Sequence, residues 1–164
     1  MTLQSLIVTA DPENPQRGIL RIGERRFACV LGRASIRSDK HEGDGATPEG
    51  RYRITAKRGQ GQTQYYRALV LDYPNHDDRR RFEQARKIGR ISPATRIGGQ
   101  IEIHGVENEL MAQTLGCVML DNAQMVALYE RVEPGTPVTI VGALSERNAV
   151  AIALSHLGNW GEET

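Results

Sequence analysis

Short β-type runs separated by glycine and proline constrain most strongly how this chain can fold. The first third contains LIVTAD, GILRIG and RFACVLG, which are divided by turn-forming residues such as Pro12, Pro15 and Gly18. The run GILRIGERRFACVLG predicts a β-hairpin with Gly23 and Glu24 at its turn. Because such runs follow one another directly, we expect a mostly antiparallel sheet with helices packed at its edges, rather than a doubly wound fold.

The later part of the chain adds further strands and three predicted helices. The polar stretch IRSDKHEGDGATPEG is interpreted as a loop, and RYRITAK, ALVLDY, QIEIHGV, CVML and the end of EPGTPVTIVG as strands. Asn75 is expected to cap a helix over 76–89, and Asp121 or Asn122 to cap a second one in DNAQMVALYERV. The run SERNAVAIALSHLGNW predicts a C-terminal helix at 145–160. The total is about eight strands and three helices.

Composition restricts the class of protein. A chain of 164 residues with 39% apolar and 25% charged residues fits one globular domain over 1–164. The net charge of +1 gives no reason to invoke nucleic acid, and no apolar run is long enough for membrane insertion. The first residues lack the basic and apolar regions of a secretory signal.

The run GGQIEIHGVENELMAQTLGCVML at 98–120 holds the residues best suited to catalysis. An imidazole near a thiol can lower the thiol pKa from about 8.5 into a range of roughly 3.5–7.5, which produces a nucleophile. If the two strands of this run are neighbours, His104 and Cys117 meet as base and nucleophile. Gly116 would let a substrate approach the backbone, and the amides of Gly116 and Cys117 would form an oxyanion hole. The alternative is a buried thiol and a surface imidazole that never touch.

Other kinds of site have weaker support in the sequence. Two cysteines and four histidines without paired ligand spacing make a zinc site an unfavourable interpretation. The glycines at 59 and 61 are followed by no Gly-Lys-Ser/Thr element, so a hairpin turn is expected there instead of a phosphate loop. Cys29 lies between apolar residues and is interpreted as core, and a disulfide with Cys117 is not required.

Three motifs resemble the L,D-transpeptidase catalytic domain of the YkuD type. The first is IHG followed by TLGCV and, on a later strand, GTPVTI. The second is GDGATPEGRYRI at 43–54, which is similar to the family's Thr-Pro-x-Gly turn before a strand. The third is LDYPNHDDR at 71–79 leading to IGGQIEIHG. They occur in the family's order and cover most of residues 1–142.

The resemblance implies a mainly β fold with peripheral helices, a β-sandwich catalytic domain, and cysteine acyl transfer on peptidoglycan stem peptides or muropeptides. Cys117 would attack the carbonyl of the third-position diamino acid and release D-alanine, with His104 as base, oriented by a backbone carbonyl near Gly105. An amine of another stem would then give a 3–3 cross-link, or water a tripeptide. This chemistry needs no metal and no organic cofactor. Substrate or loop positioning is expected for Thr114. Two interpretations stay open for Tyr73 and Asn75: they line the cleft rim, or they form only a strand end and a helix cap.

Two positions depart from the family motif Ser-His-Gly-Cys-hydrophobic-Arg. Leu115 stands where the second His is usual, and Met119 where the Arg is usual. An inactive muropeptide-binding module of the same fold is therefore a second hypothesis, and a cysteine hydrolase acting on an unrelated amide a third. The family implies the periplasm or cell wall. Without a visible signal, non-classical export and a cytoplasmic role on recycled muropeptides stay open.

Overall fold

The computed structural model describes residues 4–107 and 114–142, and within them it has ten strands and two helices. The elements in chain order are β1 (Leu6–Ala10), β2 (Arg17–Ile22), β3 (Arg25–Val30), β4 (Ile36–Arg37), β5 (Thr47–Pro48), β6 (Gly50–Arg58), β7 (Ala68–Leu71), α1 (His76–Lys87), β8 (Glu102–His104), β9 (Val118–Met119), α2 (Asn122–Tyr129) and β10 (Pro137–Val141).

Eight of the strands close into a barrel. Their order around it is β1, β10, β6, β7, β8, β9, β3 and β2, and β2 returns to β1. Six of these neighbours are antiparallel, whereas β1 with β10 and β8 with β9 are parallel. The mainly β class with helices at the periphery is thus confirmed. The strands differ from the expected sandwich in that they form one closed sheet, because β1 pairs with both β2 and β10.

The barrel interior is the hydrophobic core. Along β1 the side chains of Leu6, Val8 and Ala10 are buried, whereas Ile7 and Thr9 are half-buried. This alternation is what a strand gives when one face is turned to the core, because successive side chains point to opposite faces. The hydrophobic pattern that predicts the strands therefore also fixes which face points inward.

Local turn chemistry is predicted correctly at the first hairpin. β2 and β3 pair from Arg17 with Val30 to Ile22 with Arg25, and the turn is made by Gly23 and Glu24. Gly23 has φ +57, a conformation that glycine adopts without strain. The stretch 36–50 is where the loop prediction is incomplete, because β4 and β5 form a small parallel sheet inside it. That pairing joins residues eleven apart, so no local pattern indicates it.

Helix α1 begins where its sequence predicts and ends at Lys87, two residues before the predicted end at 89. Asn75 is the N-cap, and a capping box links its side chain to the backbone N–H of Asp78 while the Asp78 carboxylate accepts from the Asn75 N–H. Asp77 and Asp78 lie in the first turn, and Arg86 and Lys87 in the last, an order that suits the helix dipole. The cap fixes the helix against the barrel wall.

Asp78 also ties the helix to β6, and its removal is expected to destabilise the fold. Its side chain is buried and accepts hydrogen bonds from Tyr52 Oη at 2.8 Å, Arg81 Nη2 at 2.9 Å and the Asn75 N–H at 2.9 Å. Asp78→Ala removes the capping box and leaves the buried Tyr52 hydroxyl without this acceptor. We expect a loss of about 3 kcal/mol in the free energy of unfolding, measured by urea titration.

Asp77→Ala is the matched control for that substitution. Asp77 lies in the same helical turn, but it is exposed and its ion pair with Arg80 spans 3.5 Å between exposed side chains. Such a pair contributes less than about 1 kcal/mol. Equal unfolding free energies for the two variants would contradict the role assigned to Asp78.

The second helix connects the site strands to β10. Asp121 is its N-cap, with a side chain that accepts from the Gln124 N–H. Neither helix of the described residues is long and apolar enough to cross a membrane. The helix predicted at 145–160 lies outside the described residues and stays a prediction, as does the single domain over 1–164.

Candidate active site

The parallel pairing of β8 and β9 brings the two reactive residues into one cleft. Ile103 pairs with Val118 and His104 with Met119. Cys117 immediately precedes β9, so it lies level with Glu102, whose side chain shares a strand face with that of His104. The cleft has a volume of about 870 Å³. It is lined by Arg33, Lys40, Glu42, Gly43, Gly45, Tyr65, Gly98, Gly99, Gln100, Ile101, His104, Thr114, Leu115 and Cys117.

His104 is held as a neutral base. Its Nδ1 lies 2.6 Å from the carbonyl oxygen of Gly105. A carbonyl only accepts, so Nδ1 carries the proton and Nε2 presents a lone pair. The ring is 2% exposed and stacks on Tyr65 with centroids 4.0 Å apart. Burial lowers the pKa of His104, and the hydrogen bond to the Gly105 carbonyl opposes that shift only in part.

Glycine at position 105 leaves room for the Asn122 side chain to pack next to His104. The amide side chain of Asn122 accepts from the Val106 N–H at 2.8 Å and donates to the Val106 carbonyl at 3.0 Å. A Cβ on Gly105 would overlap the Asn122 Oδ1 and would lie 3.1 Å from the carbonyl oxygen of Tyr65. Glycine at this position therefore permits the close packing that fixes the end of β8 and the direction of the imidazole.

Cys117 is a protonated thiol in this arrangement. Its Sγ accepts from the Glu102 N–H at 3.4 Å and donates to the Gln100 carbonyl at 3.5 Å, and within residues 4–107 and 114–142 it makes no hydrogen bond to His104. Burial raises the pKa of Cys117 to about 11, and the Glu102 carboxylate adds to the rise. The Glu102 N–H and the charge of Lys40 act in the opposite direction.

The raised pKa predicts slow alkylation of Cys117 by iodoacetamide. At pH 7 its reaction should be at least about tenfold slower than that of a free cysteine thiol with a pKa of about 8.5, and the rate should climb through the alkaline range. Peptide mapping by mass spectrometry separates Cys117 from Cys29, which is 3% exposed. A rate already at its plateau near pH 6 would show instead a preformed thiolate–imidazolium pair.

Thr114 and Gly116 shape the turn that carries the thiol. The Thr114 hydroxyl donates to the Cys117 carbonyl at 2.7 Å and accepts from the Gly116 N–H at 3.1 Å. This corrects the expectation that the Gly116 amide is free for an oxyanion. The Cys117 N–H has no partner among the described residues, so it is the available donor of this turn. The contacts of Thr114 therefore support loop positioning and not substrate positioning.

Gly116 requires glycine on two counts. Its φ is +143, and a Cβ there would lie 2.5 Å from the Ala46 carbonyl oxygen and 3.0 Å from Lys40 Nζ. The turn before Cys117 thus packs directly against the segment that contains Lys40 and Ala46.

Two of the predicted site residues lie outside the cleft. Tyr73 is 5% exposed, and its hydroxyl donates to the Ile97 carbonyl at 2.9 Å, which joins it to a cleft-forming segment from behind. Asn75 caps α1 and its amide donates to the Arg51 carbonyl. Of the two interpretations of the Tyr-Pro-Asn pattern, the contacts support the strand end and helix cap, and neither side chain lines the cleft.

The two residues that depart from the family motif, Leu115 and Met119, differ in solvent exposure. Leu115 is 87% exposed and lines the cleft, whereas Met119 is 4% exposed. A charged guanidinium would be costly to bury at such a position without a partner. The cleft thus presents an apolar side chain at 115 and no charge at 119.

Sequence reasoning missed three residues that shape the site. Lys40 lines the cleft from the polar loop, Tyr65 supports the imidazole face, and Asn122 clamps Val106. Each of the three lies far along the chain from the residue that it contacts. The sequence marks Asn122 only as a possible helix cap. The only signal available for Lys40 is its position just before the GDGATPEG motif.

Comparisons with known proteins identify the family and the fold. The family model of the L,D-transpeptidase catalytic domain (YkuD) matches residues 6–140. No curated protein matches the chain. Among solved structures, the helical cell shape determining protein Pgp2 from Campylobacter jejuni superposes with a TM-score of 0.57 at 22% identity, over 87% of this chain and 49% of that chain.

Bd1075 from Bdellovibrio bacteriovorus gives a TM-score of 0.55 at 20% identity, over 96% of this chain and 59% of that chain. The chain therefore spans less than two thirds of the length of either protein. At these identities, the superpositions show a shared fold.

Proposed function

Because the chain belongs to the YkuD family of L,D-transpeptidase catalytic domains, we propose that it is a cysteine acyltransferase acting on peptidoglycan stem peptides. The proposal rests chiefly on one observation: Cys117 and a neutral, oriented His104 line the same cleft. The acyl donor would be the third-position diamino acid of a tetrapeptide stem, and D-alanine the leaving group.

Attack requires His104 to remove the thiol proton. Nε2 takes the proton from Sγ as the sulfur adds to the scissile carbonyl, and the positive charge on the ring is stabilised through Nδ1–H by the Gly105 carbonyl. Because burial raises the pKa of Cys117 to about 11, the sulfur enters the reaction as the thiol, and His104 must accept its proton. The thiol must first exchange its contacts with Gln100 and Glu102 for one with Nε2.

The tetrahedral oxyanion would be stabilised by the Cys117 N–H. This amide follows Gly116, and Thr114 holds the turn through its hydrogen bonds to the Gly116 N–H and the Cys117 carbonyl. A fixed backbone donor stabilises charge that develops in the transition state without reorganisation. When the intermediate collapses, the C–N bond breaks and the imidazolium returns its proton to the amine of D-alanine.

The thioester is then resolved by an amine or by water. An amine of a second stem would give a 3–3 cross-link, and water would give a tripeptide. His104 would deprotonate either nucleophile in the same way, so both outcomes use the same residues. The family acts in the periplasm or cell wall, and we propose that stem peptides there are the substrate.

A muropeptide-binding module without turnover is the second candidate. It is favoured by the apolar side chains of Leu115 and Met119 at the two positions where the family motif carries His and Arg. The resting thiol, which faces Gln100 and Glu102, also fits this candidate. A pure binder, however, has no need for the oriented imidazole of His104.

Product analysis with a disaccharide tetrapeptide distinguishes these functions. The wild-type protein and the Cys117→Ala variant are incubated with the muropeptide, and the products are separated by liquid chromatography and mass spectrometry. Tripeptide shows hydrolysis and a 3–3 dimer shows transpeptidation, and both should vanish in Cys117→Ala. An intact muropeptide that binds the wild-type protein would replace this proposal by the binding module.

A further inference from the structure

A buried lysine lies beside the turn that carries the nucleophile. The Lys40 side chain is 7% exposed and lines the cleft. Its ammonium lies 3.0 Å from the position that a Cβ on Gly116 would occupy. Its charge also favours the thiolate form of Cys117. Lys40 therefore lies beside the residue that precedes the reacting Cys117.

The ammonium of Lys40 retains donors for a ligand. An ammonium has three N–H donors, and among the described residues the one acceptor of Lys40 is Asp44 Oδ1 at 3.3 Å. That carboxylate is also engaged by the N–H groups of His41 and Ala46, both at 2.9 Å. Asp44 thus anchors the loop and holds Lys40 in place, while two N–H donors of the lysine remain for the cleft.

The arrangement is suited to an anionic group next to the scissile bond. Burying a charge is costly unless it is well paired, so a cation held in a cleft wall favours a ligand that completes its shell. The second cation of the cleft, Arg33, is exposed, and exposed charges interact weakly with partners. Met119 supplies no charge where the family motif has Arg.

We propose that Lys40 binds the terminal carboxylate of the leaving D-amino acid and so makes this site selective for stems with a free C-terminus. The inference rests on the proposed function and adds a specificity residue to it. In a tetrapeptide the carboxylate carbon is two bonds from the scissile nitrogen. When Cys117 contacts the scissile carbonyl, this carboxylate would therefore lie beside Gly116, within reach of the Lys40 ammonium. Stems whose D-alanine carboxylate is blocked would lose this contact.

A binding cycle on the Cys117→Ala protein tests the proposal without turnover. The ligands are a muropeptide tetrapeptide with a free D-alanine carboxylate and the same peptide ending in D-alaninamide. Isothermal titration calorimetry gives both dissociation constants. We expect the acid to bind roughly tenfold to hundredfold more tightly than the amide, as a charge-assisted hydrogen bond implies. Adding Lys40→Gln should remove most of this ratio, and adding Lys40→Arg should keep a larger part of it.

Lys87→Gln is the matched control, because Lys87 is an exposed lysine on α1 away from the cleft. It should leave the ratio of the two dissociation constants unchanged, and Arg33→Gln should change it less than Lys40→Gln. Circular dichroism checks that each variant is folded. If Lys40→Gln does not fold, the proposal is tested by the ratio of the acid and amide dissociation constants in Cys117→Ala alone and in Cys117→Ala combined with Lys40→Arg.

Equal affinity for acid and amide overturns the proposal, and so does a ratio that survives Lys40→Gln. The two proposals fail separately. A protein that prefers the acid but leaves the muropeptide intact contradicts acyl transfer and supports the role of Lys40. A protein that turns over acid and amide stems at equal rates contradicts the role of Lys40 alone.

Discussion

Replacing His104 with glutamine is expected to lower the rate of D-alanine release by about 10²–10⁴-fold, the usual contribution of a positioned general base. Glutamine is polar, uncharged and close in size but has no basic nitrogen, so the loss should come from the missing base. The raised pKa of Cys117, about 11, makes this loss large, because little thiolate forms near neutral pH without His104. The measurement is steady-state release of D-alanine from the tetrapeptide.

The matched control is His76→Gln, because His76 is exposed at the start of α1. The pH profile adds a second readout. Burial places the pKa of His104 below its usual value of about 6.5, so wild-type activity should hold at pH 6.5 and fall as the pH decreases through the lowered pKa. A His104→Gln variant that keeps activity within about threefold of His76→Gln would contradict the role of general base.

Gly116→Ala is expected to lower activity by about a hundredfold, since displacement of reacting groups by about 1 Å can cost that much. The new Cβ would meet the Ala46 carbonyl oxygen at 2.5 Å, and φ +143 is unfavourable for alanine. The turn must shift, and the shift moves both the Cys117 sulfur and the Cys117 N–H. The measurement is kcat for D-alanine release together with the thermal unfolding midpoint.

Gly59→Ala separates a general effect of the substitution from a local one. Gly59 has no positive φ, and its added Cβ would have ordinary contacts of 3.6 Å with Gln62 and Tyr129. It should retain activity. Near-wild-type kcat in Gly116→Ala would show that the turn tolerates a side chain and that Gly116 does not position the nucleophile.

The parts of the fold that local chemistry determines are predictable from the sequence. Gly23 and Glu24 between two β-type runs specify the hairpin, and Asn75 with the acidic residues after it specifies the start of α1. Closure of the barrel is different. It depends on the parallel pairing of Leu6 with Val138, two residues that are far apart in the chain. The strand pattern supplies the inward face of each strand but not its partner.

The candidate site likewise contains residues that the sequence predicts and residues that only the fold reveals. Cys117 and His104 are indicated by their motif, and the β8–β9 pairing brings them to one cleft. Tyr73 and Asn75 also belong to a motif, but their side chains satisfy backbone groups behind the site. Lys40 belongs to no motif, and only the fold of the loop that Asp44 organises brings its ammonium to Gly116.

Acylation of Cys117 is the most direct test of cysteine acyl transfer at this site. Intact-mass spectrometry is run on the wild-type protein and on Cys117→Ala after incubation with a carbapenem, a reagent that acylates nucleophilic active-site residues. We expect a single covalent adduct on the wild-type protein and none on Cys117→Ala, with peptide mapping that places it on Cys117 and not on Cys29. A wild-type protein that stays unmodified, or an adduct that persists in Cys117→Ala, would contradict cysteine acyl transfer at this site.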